Sequence, residues 1–162
     1  MLSPSKLLTP EEAAERRAAL KALGKTLVFT NGCFDILHPG HLDYLARARE
    51  LGDALYVGLN SDDSVRRLKG HKRPVNGQGV RALMLSGLSM VDGVAVFDED
   101  TPLNLIRRLM PDVLVKGGDW PPEKIVGGPE VLAEGGRVLS LPFLDGYSTS
   151  SLIARILSLN GA

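Results

Sequence analysis

Apolar runs rich in β-branched residues recur along the chain at Thr26–Thr30, Ala54–Leu59, Gly93–Phe97, Val113–Val115 and Arg137–Leu141. Segments with helical spacing separate or follow them, over Gly40–Leu51, Asp62–Leu68, Val80–Met90, Pro102–Met110, Pro129–Ala133 and Ser151–Leu159. Strand and helix alternate with short connections, which predicts right-handed crossovers between parallel strands. The expected architecture is a Rossmann-like, doubly wound α/β fold: a mostly parallel five-stranded sheet with helices on both faces. Ahead of the first strand, Thr9-Pro10-Glu11-Glu12 opens a further helix. Thr9 is its N-cap, Pro10 takes the first helical position and Glu12 completes a capping box, while Gly24 ends it. The sequence thus divides into an N-terminal helix over 1–24 and a main domain over 25–162.

Composition narrows the picture. At 162 residues and 44% hydrophobic content, the chain can bury one sizeable core. Nineteen basic and nineteen acidic residues cancel, so no global field draws in nucleic acid or an anionic membrane, and any anion must be met locally. The lone Cys33 cannot form an internal disulfide, no Cys/His spacing suggests a metal centre, and neither a signal peptide nor a membrane-length apolar run is visible. A cytoplasmic protein is the expectation.

Four strand-to-helix junctions hold the candidate chemistry, at the sheet edge where open parallel sheets bind ligands. In the first, His38-Pro39-Gly40-His41 opens a helix. Residues three apart share a helix face, so both imidazoles can meet one anion drawn by free N–H groups and the helix dipole, and Gly40 leaves room for it. The same residues also fit a proline-started helix bearing two surface histidines. Asn31 and Gly32 offer donors. Asp35 suits a histidine partner, a helix cap, a metal ligand or a turn, and Phe34, Ile36 and Leu37 suit core or wall. The second junction, Arg66 to Pro74, carries five cations and no acid within eight residues. It fits a phosphate-binding lid as well as a solvated helix end. The third, Tyr147-Ser148-Thr149-Ser150-Ser151, is a hydroxyl-rich helix start suited to capping and to phosphate alike. In the fourth, Lys116-Gly117-Gly118-Asp119 combines a cation, a close backbone approach and a carboxylate suited to a sugar hydroxyl. No GxxxxGK[ST] or GxGxxG motif is present, which argues against a P-loop kinase or a dinucleotide dehydrogenase, and no GxSxG elbow suggests a hydrolase.

The stretch GCFDILHPGH, Gly32 to His41, resembles the HxGH signature of the nucleotidyltransferase superfamily. GYSTSSLI, Gly146 to Ile153, resembles its second signature, a variant of G-x-S-T-T. The intervening RRLKGHKRPVN, DEDTP, PDVLVKGGDW and GGRVLSLPF resemble the D-glycero-D-manno-heptose 1-phosphate adenylyltransferase branch, from about Lys25 to Leu157. The resemblance implies transfer of AMP from ATP to heptose 1-phosphate, with release of pyrophosphate and formation of an ADP-sugar. It assigns catalysis to His38, His41 and Lys72. Nucleotide contacts would fall to Asn31, Gly32, Cys33, Phe34, Asp35, Gly40, Lys69, Arg81, Lys116, Gly117, Asp119, Tyr147, Ser148 and Thr149, with Arg81 either a phosphate contact or a scaffold. Mg²⁺ would screen the triphosphate with few direct protein ligands. A homodimer is a family expectation. That family often carries a fused sugar kinase, so a stand-alone transferase supplied by a separate kinase is expected here. Cys33 stands where related cytidylyltransferases often have threonine, so the hydroxyl contact to phosphate made there is not expected here; Phe143-Leu144-Asp145 stands where they place an arginine, which weakens a CTP reading and favours the heptose branch. The alternatives are a cytidylyltransferase acting on glycerol 3-phosphate or a similar small phosphate, and a catalytically silent nucleotide-binding domain.

Overall fold

The computed structural model describes residues 4–118 and 120–160. Its elements run β1 (Leu7–Leu8), α1 (Pro10–Ala22), β2 (Leu27–Gly32), α2 (Pro39–Arg49), β3 (Ala54–Asn60), α3 (Asp62–Lys69), α4 (Gln78–Ser86), β4 (Gly93–Phe97), α5 (Leu103–Leu109), β5 (Val113–Gly117), α6 (Gly128–Ala133), β6 (Arg137–Leu141) and α7 (Thr149–Asn160). All strands pair in parallel, in the order β1-β4-β3-β2-β5-β6. The sheet has six strands in place of the expected five. The added strand, β1, pairs Leu7 with Val94 and Leu8 with Ala95, and two residues are too few to leave a period in the sequence.

Burial on both faces explains the unbroken apolar runs. One core joins Leu27, Phe29 and Leu114 of the sheet to Ala13 of α1, Leu105, Ile106 and Leu109 of α5, and Val131 of α6. The other joins Val28, Val57 and Val115 to Tyr44, Leu45 and Ala48 of α2 and to Ala82 and Leu85 of α4. Residues ahead of β2 belong to this same assembly. The N-cap of α1 forms the reciprocal capping box, Thr9 Oγ1 accepting from the Glu12 N–H at 3.1 Å and Glu12 Oε2 from the Thr9 N–H at 2.8 Å. Buried Arg17 donates to Asp112 at 2.8 Å and to the Leu109 and Met110 carbonyls, tying α1 to the turn before β5.

The winding decides where a ligand can enter. From central β2 the chain steps outward to β3 and β4, then returns across the sheet to β5 and β6 on the other flank. Connections therefore diverge beyond the carboxyl ends of β2 and β5, leaving a crevice at that switch point. Both strands run further than their apolar patterns suggest, so Asn31, Gly32, Lys116 and Gly117 end as strand residues at its rim.

Candidate active site

His38 caps α2 with extended backbone, φ −146° and ψ 166°, and its side chain makes no capping bond. Its ring stacks instead on that of His41, with centroids 3.8 Å apart and planes 23° from parallel. The Nδ1 atoms of both rings are buried without a hydrogen-bond partner among the described residues. Burial lowers the pKa of His38. For His41, burial and the neighbouring His38 together lower it to about 4. Both rings are therefore neutral at pH 7 in the free protein, and each can donate an N–H to an incoming oxygen anion. Gly40 is what permits the stack. A Cβ there would lie 3.1 Å from the His38 ring and 3.3 Å from the Tyr147 Cβ.

The loop from β2 to α2 is held by unusual means. Phe34 has φ 44°, a left-handed conformation that costs a side-chain-bearing residue about 1 kcal/mol or more. Its ring compensates by packing under the site, 5.1 Å from the His41 ring and so close to Gly32 that a Cβ there would lie 2.9 Å from it. Asp35 faces neither histidine. Its carboxylate, with a side chain 1% exposed, accepts from Arg73 Nε at 2.6 Å, Val75 N at 2.8 Å and Asn76 N at 2.9 Å. Burial alone would raise its pKa, but the Asn76 and Val75 N–H groups and the Arg73 guanidinium outweigh that and hold it below the usual range. Asp35 thus clasps the basic loop to the histidine loop. Arg81, fully buried, does the same from α4: it donates to the carbonyls of Asn76 at 2.9 Å and Cys33 at 2.6 Å and to Asp62 at 2.8 Å. Each guanidinium nitrogen is engaged, which fits the scaffold role and not a phosphate contact.

A cleft of about 540 Å³ opens above these loops. Of the candidate residues, Asn31, Gly32, Cys33, Phe34, Asp35, His41, Lys69, Lys116, Gly117 and Thr149 line it. His38, Gly40 and Tyr147 are not part of that lining but adjoin it, His38 stacking on His41 and the Tyr147 ring on His38 at 6.5 Å. Ser148 is taken up in capping α7: its Oγ accepts from the Ser151 N–H at 3.0 Å, and Ser150, part of the same hydroxyl-rich junction but not among the expected nucleotide contacts, lines the cleft instead. Lys72 lies on an exposed turn outside the cleft lining, whereas Arg73 of the same loop lines it. Asp119 lies outside the described residues. Lys116 has no hydrogen-bond or ion-pair partner among the described residues, and its pKa is lowered by burial first and by Lys69 as well. Burial raises the Cys33 thiol, against the pull of Lys69, Arg81, Lys116 and Arg73.

Sequence reasoning missed the apolar wall. Trp120, Ile125, Val126 and Phe143 line the cleft on the β5–β6 side, brought together from two loops with no shared period. The single tryptophan of the chain, two residues past a Gly-Gly strand end, was the available signal, and the structure leaves it half-exposed. Gly117 supplies the flat floor, since a Cβ there would lie 2.4 Å from the Phe143 ring.

A doubly wound parallel sheet with stacked histidines at a helix N-terminus, below a cleft at the switch point, defines a protein of the nucleotide-binding α/β class. Residues 29–155 match the cytidylyltransferase-like family model, and the chain belongs to that family. It is 54% identical over 154 residues to the bifunctional protein HldE of Geotalea uraniireducens, covering 95% of this chain and 31% of that protein. It is 58% identical over 144 residues to HldE of Geobacter sulfurreducens, covering 89% and 29%. The chain therefore spans about a third of the length of the curated relatives it matches. Among solved structures, the lipopolysaccharide core biosynthesis protein from Thermoplasma volcanium superimposes with a TM-score of 0.60 at 29% identity, over 77% of this chain and 100% of that one. Pantoate-beta-alanine ligase from Francisella tularensis shares the fold, with a TM-score of 0.59 at 12% identity over 84% of this chain and 66% of that one.

Proposed function

We propose that the chain transfers AMP from ATP to D-glycero-D-manno-heptose 1-phosphate, giving ADP-heptose and pyrophosphate. The observation that carries this is the stacked His38–His41 pair at a helix N-terminus, with the Nδ1 atoms of both rings buried and unpartnered among the described residues and His41 lining a cleft shared with Lys69, Lys116 and the start of α7. The heptose branch is favoured by the motif set and by the likeness to a lipopolysaccharide core biosynthesis protein.

A sugar-phosphate oxygen forms a bond to the α-phosphorus as the bond to the bridging oxygen breaks and pyrophosphate leaves. No protein nucleophile is needed, so the work is positioning and charge stabilisation. The imidazole N–H groups meet the phosphates, Lys116 and Lys69 neutralise them, and Thr149 at the start of α7 receives the triphosphate tail. Trp120, Ile125 and Phe143 cover the base. For magnesium, the donor set fits an ion carried by the triphosphate with few direct protein ligands. Among the described residues no three His, Cys, Asp or Glu side chains converge, and Asp35 is committed to its clasp. When bound, the ion screens phosphate charge.

Pyrophosphate release, measured with ATP, CTP and GTP against both anomers of heptose 1-phosphate and against glycerol 3-phosphate, tests this. Release with ATP and one heptose anomer is expected. Release only with CTP and glycerol 3-phosphate would replace it with the cytidylyltransferase alternative.

A further inference from the structure

The cleft has two chemically different ends. Opposite the apolar wall, on the β3–β4 side, its polar lining includes Asn60, Lys69, Asp100 and Thr101, with Leu68 and Pro102 beside them. The loop bearing Asp100 and Thr101 is gripped by one face of α3 and its cap, in three successive rungs. Ser61 Oγ donates to the Asp98 carboxylate, Ser64 Oγ to the Glu99 carbonyl at 2.9 Å, and Arg67 Nε to Asp100 Oδ1 at 2.7 Å. Positions 61, 64 and 67 follow the three-residue spacing that aligns side chains along a helix.

This lattice leaves acceptors facing the cleft. Asp100 Oδ2 has no partner among the described residues, since Arg67 binds the other oxygen. Asn60 is almost wholly buried; its amide nitrogen donates to Ser64 Oγ at 3.0 Å, which orients the amide and leaves its carbonyl oxygen unpaired. Acceptors fixed in place recognise hydroxyl donors, and Lys69 beside them recognises a phosphate. The rings of Trp120 and Phe143, which suit a base, line the opposite end. Building on the transferase function proposed above, we infer that this end is the acceptor subsite, and that Asp100, pinned by Arg67, selects a hydroxyl-rich sugar phosphate over a smaller phosphate.

The test is initial-rate pyrophosphate release by wild type, Asp100→Ala and Thr101→Val. Acceptor is varied at saturating ATP, and ATP at saturating acceptor, using whichever acceptor of the panel turns over. Loss of a charged hydrogen-bond acceptor should raise the acceptor KM of Asp100→Ala roughly tenfold or more, with the ATP KM within about twofold of wild type. Thr101→Val should raise the acceptor KM less. A loop with a merely structural role would move both KM values together, and that result, or a rise in the ATP KM alone, would overturn the assignment. If glycerol 3-phosphate alone turns over, the heptose proposal fails while the same KM split still decides where the acceptor sits. Silence of the wild-type chain with every pair would overturn both.

Discussion

Replacing Asp35 by asparagine removes the charge that holds the basic loop against the histidine loop. Three donors converge on a carboxylate 1% exposed, so the new amide NH₂ must face either Arg73 Nε–H or a backbone N–H. Breaking a buried pair from one side costs about 3–5 kcal/mol. The Arg73 side chain is 21% exposed and can turn to water, which reduces the expected loss to about 2–3 kcal/mol. For a domain of this size that lowers Tm by roughly 5–10 °C. Thermal and urea unfolding of both proteins measure it. The sign with pH is fixed as well. A carboxyl whose folded pKa is depressed contributes above its unfolded value near about 3.9, and that contribution is lost as pH falls through the folded value. The gap between wild type and Asp35→Asn should be full at neutral pH and close in acid. A gap of less than about a degree at neutral pH, or one that widens in acid, would refute the clasp.

Gly40→Ala places a Cβ 3.1 Å from the His38 ring, so kcat/KM should fall about tenfold with Tm little changed; unaltered turnover would mean the stack is incidental. Phosphate beside the histidines should raise the pKa that burial holds at about 4 in His41, so nucleotide affinity should tighten as pH drops from about 7.5 to about 5.5. The pH slope should flatten in a His38→Ala/His41→Ala double variant, and identical slopes would place the rings away from phosphate. Burial of Cys33 predicts slow alkylation at neutral pH, slowed further by ATP; labelling that ignores ATP would put the thiol outside the nucleotide site.

What the sequence made legible was local. The capping box of α1 needs only Thr9 and Glu12, and β4 and β6 fall at the bounds their apolar runs predict. The HxGH helix start is likewise written in consecutive residues. By contrast α4 ends at Ser86 and not near Met90, because the Leu88–Val91 turn is needed to bring the chain into β4. Distant pairings were hidden for the same reason. Asp35 offers no sign that its partners lie at Arg73, Val75 and Asn76, and Arg81 reads equally as a phosphate contact or a scaffold until its three acceptors are seen. Lys72 and Arg73 are neighbours of one charge, yet only Arg73 is drawn into the cleft, by Asp35.

The most direct test of the central claim is pyrophosphate release from ATP and heptose 1-phosphate by wild type and His41→Ala side by side, with folding of each checked by unfolding midpoint. Stabilisation of transferring charge is commonly worth about 2 kcal/mol or more per group, so kcat should fall by at least about tenfold at an unchanged midpoint. Equal turnover in the two proteins would contradict the role given to the histidine pair.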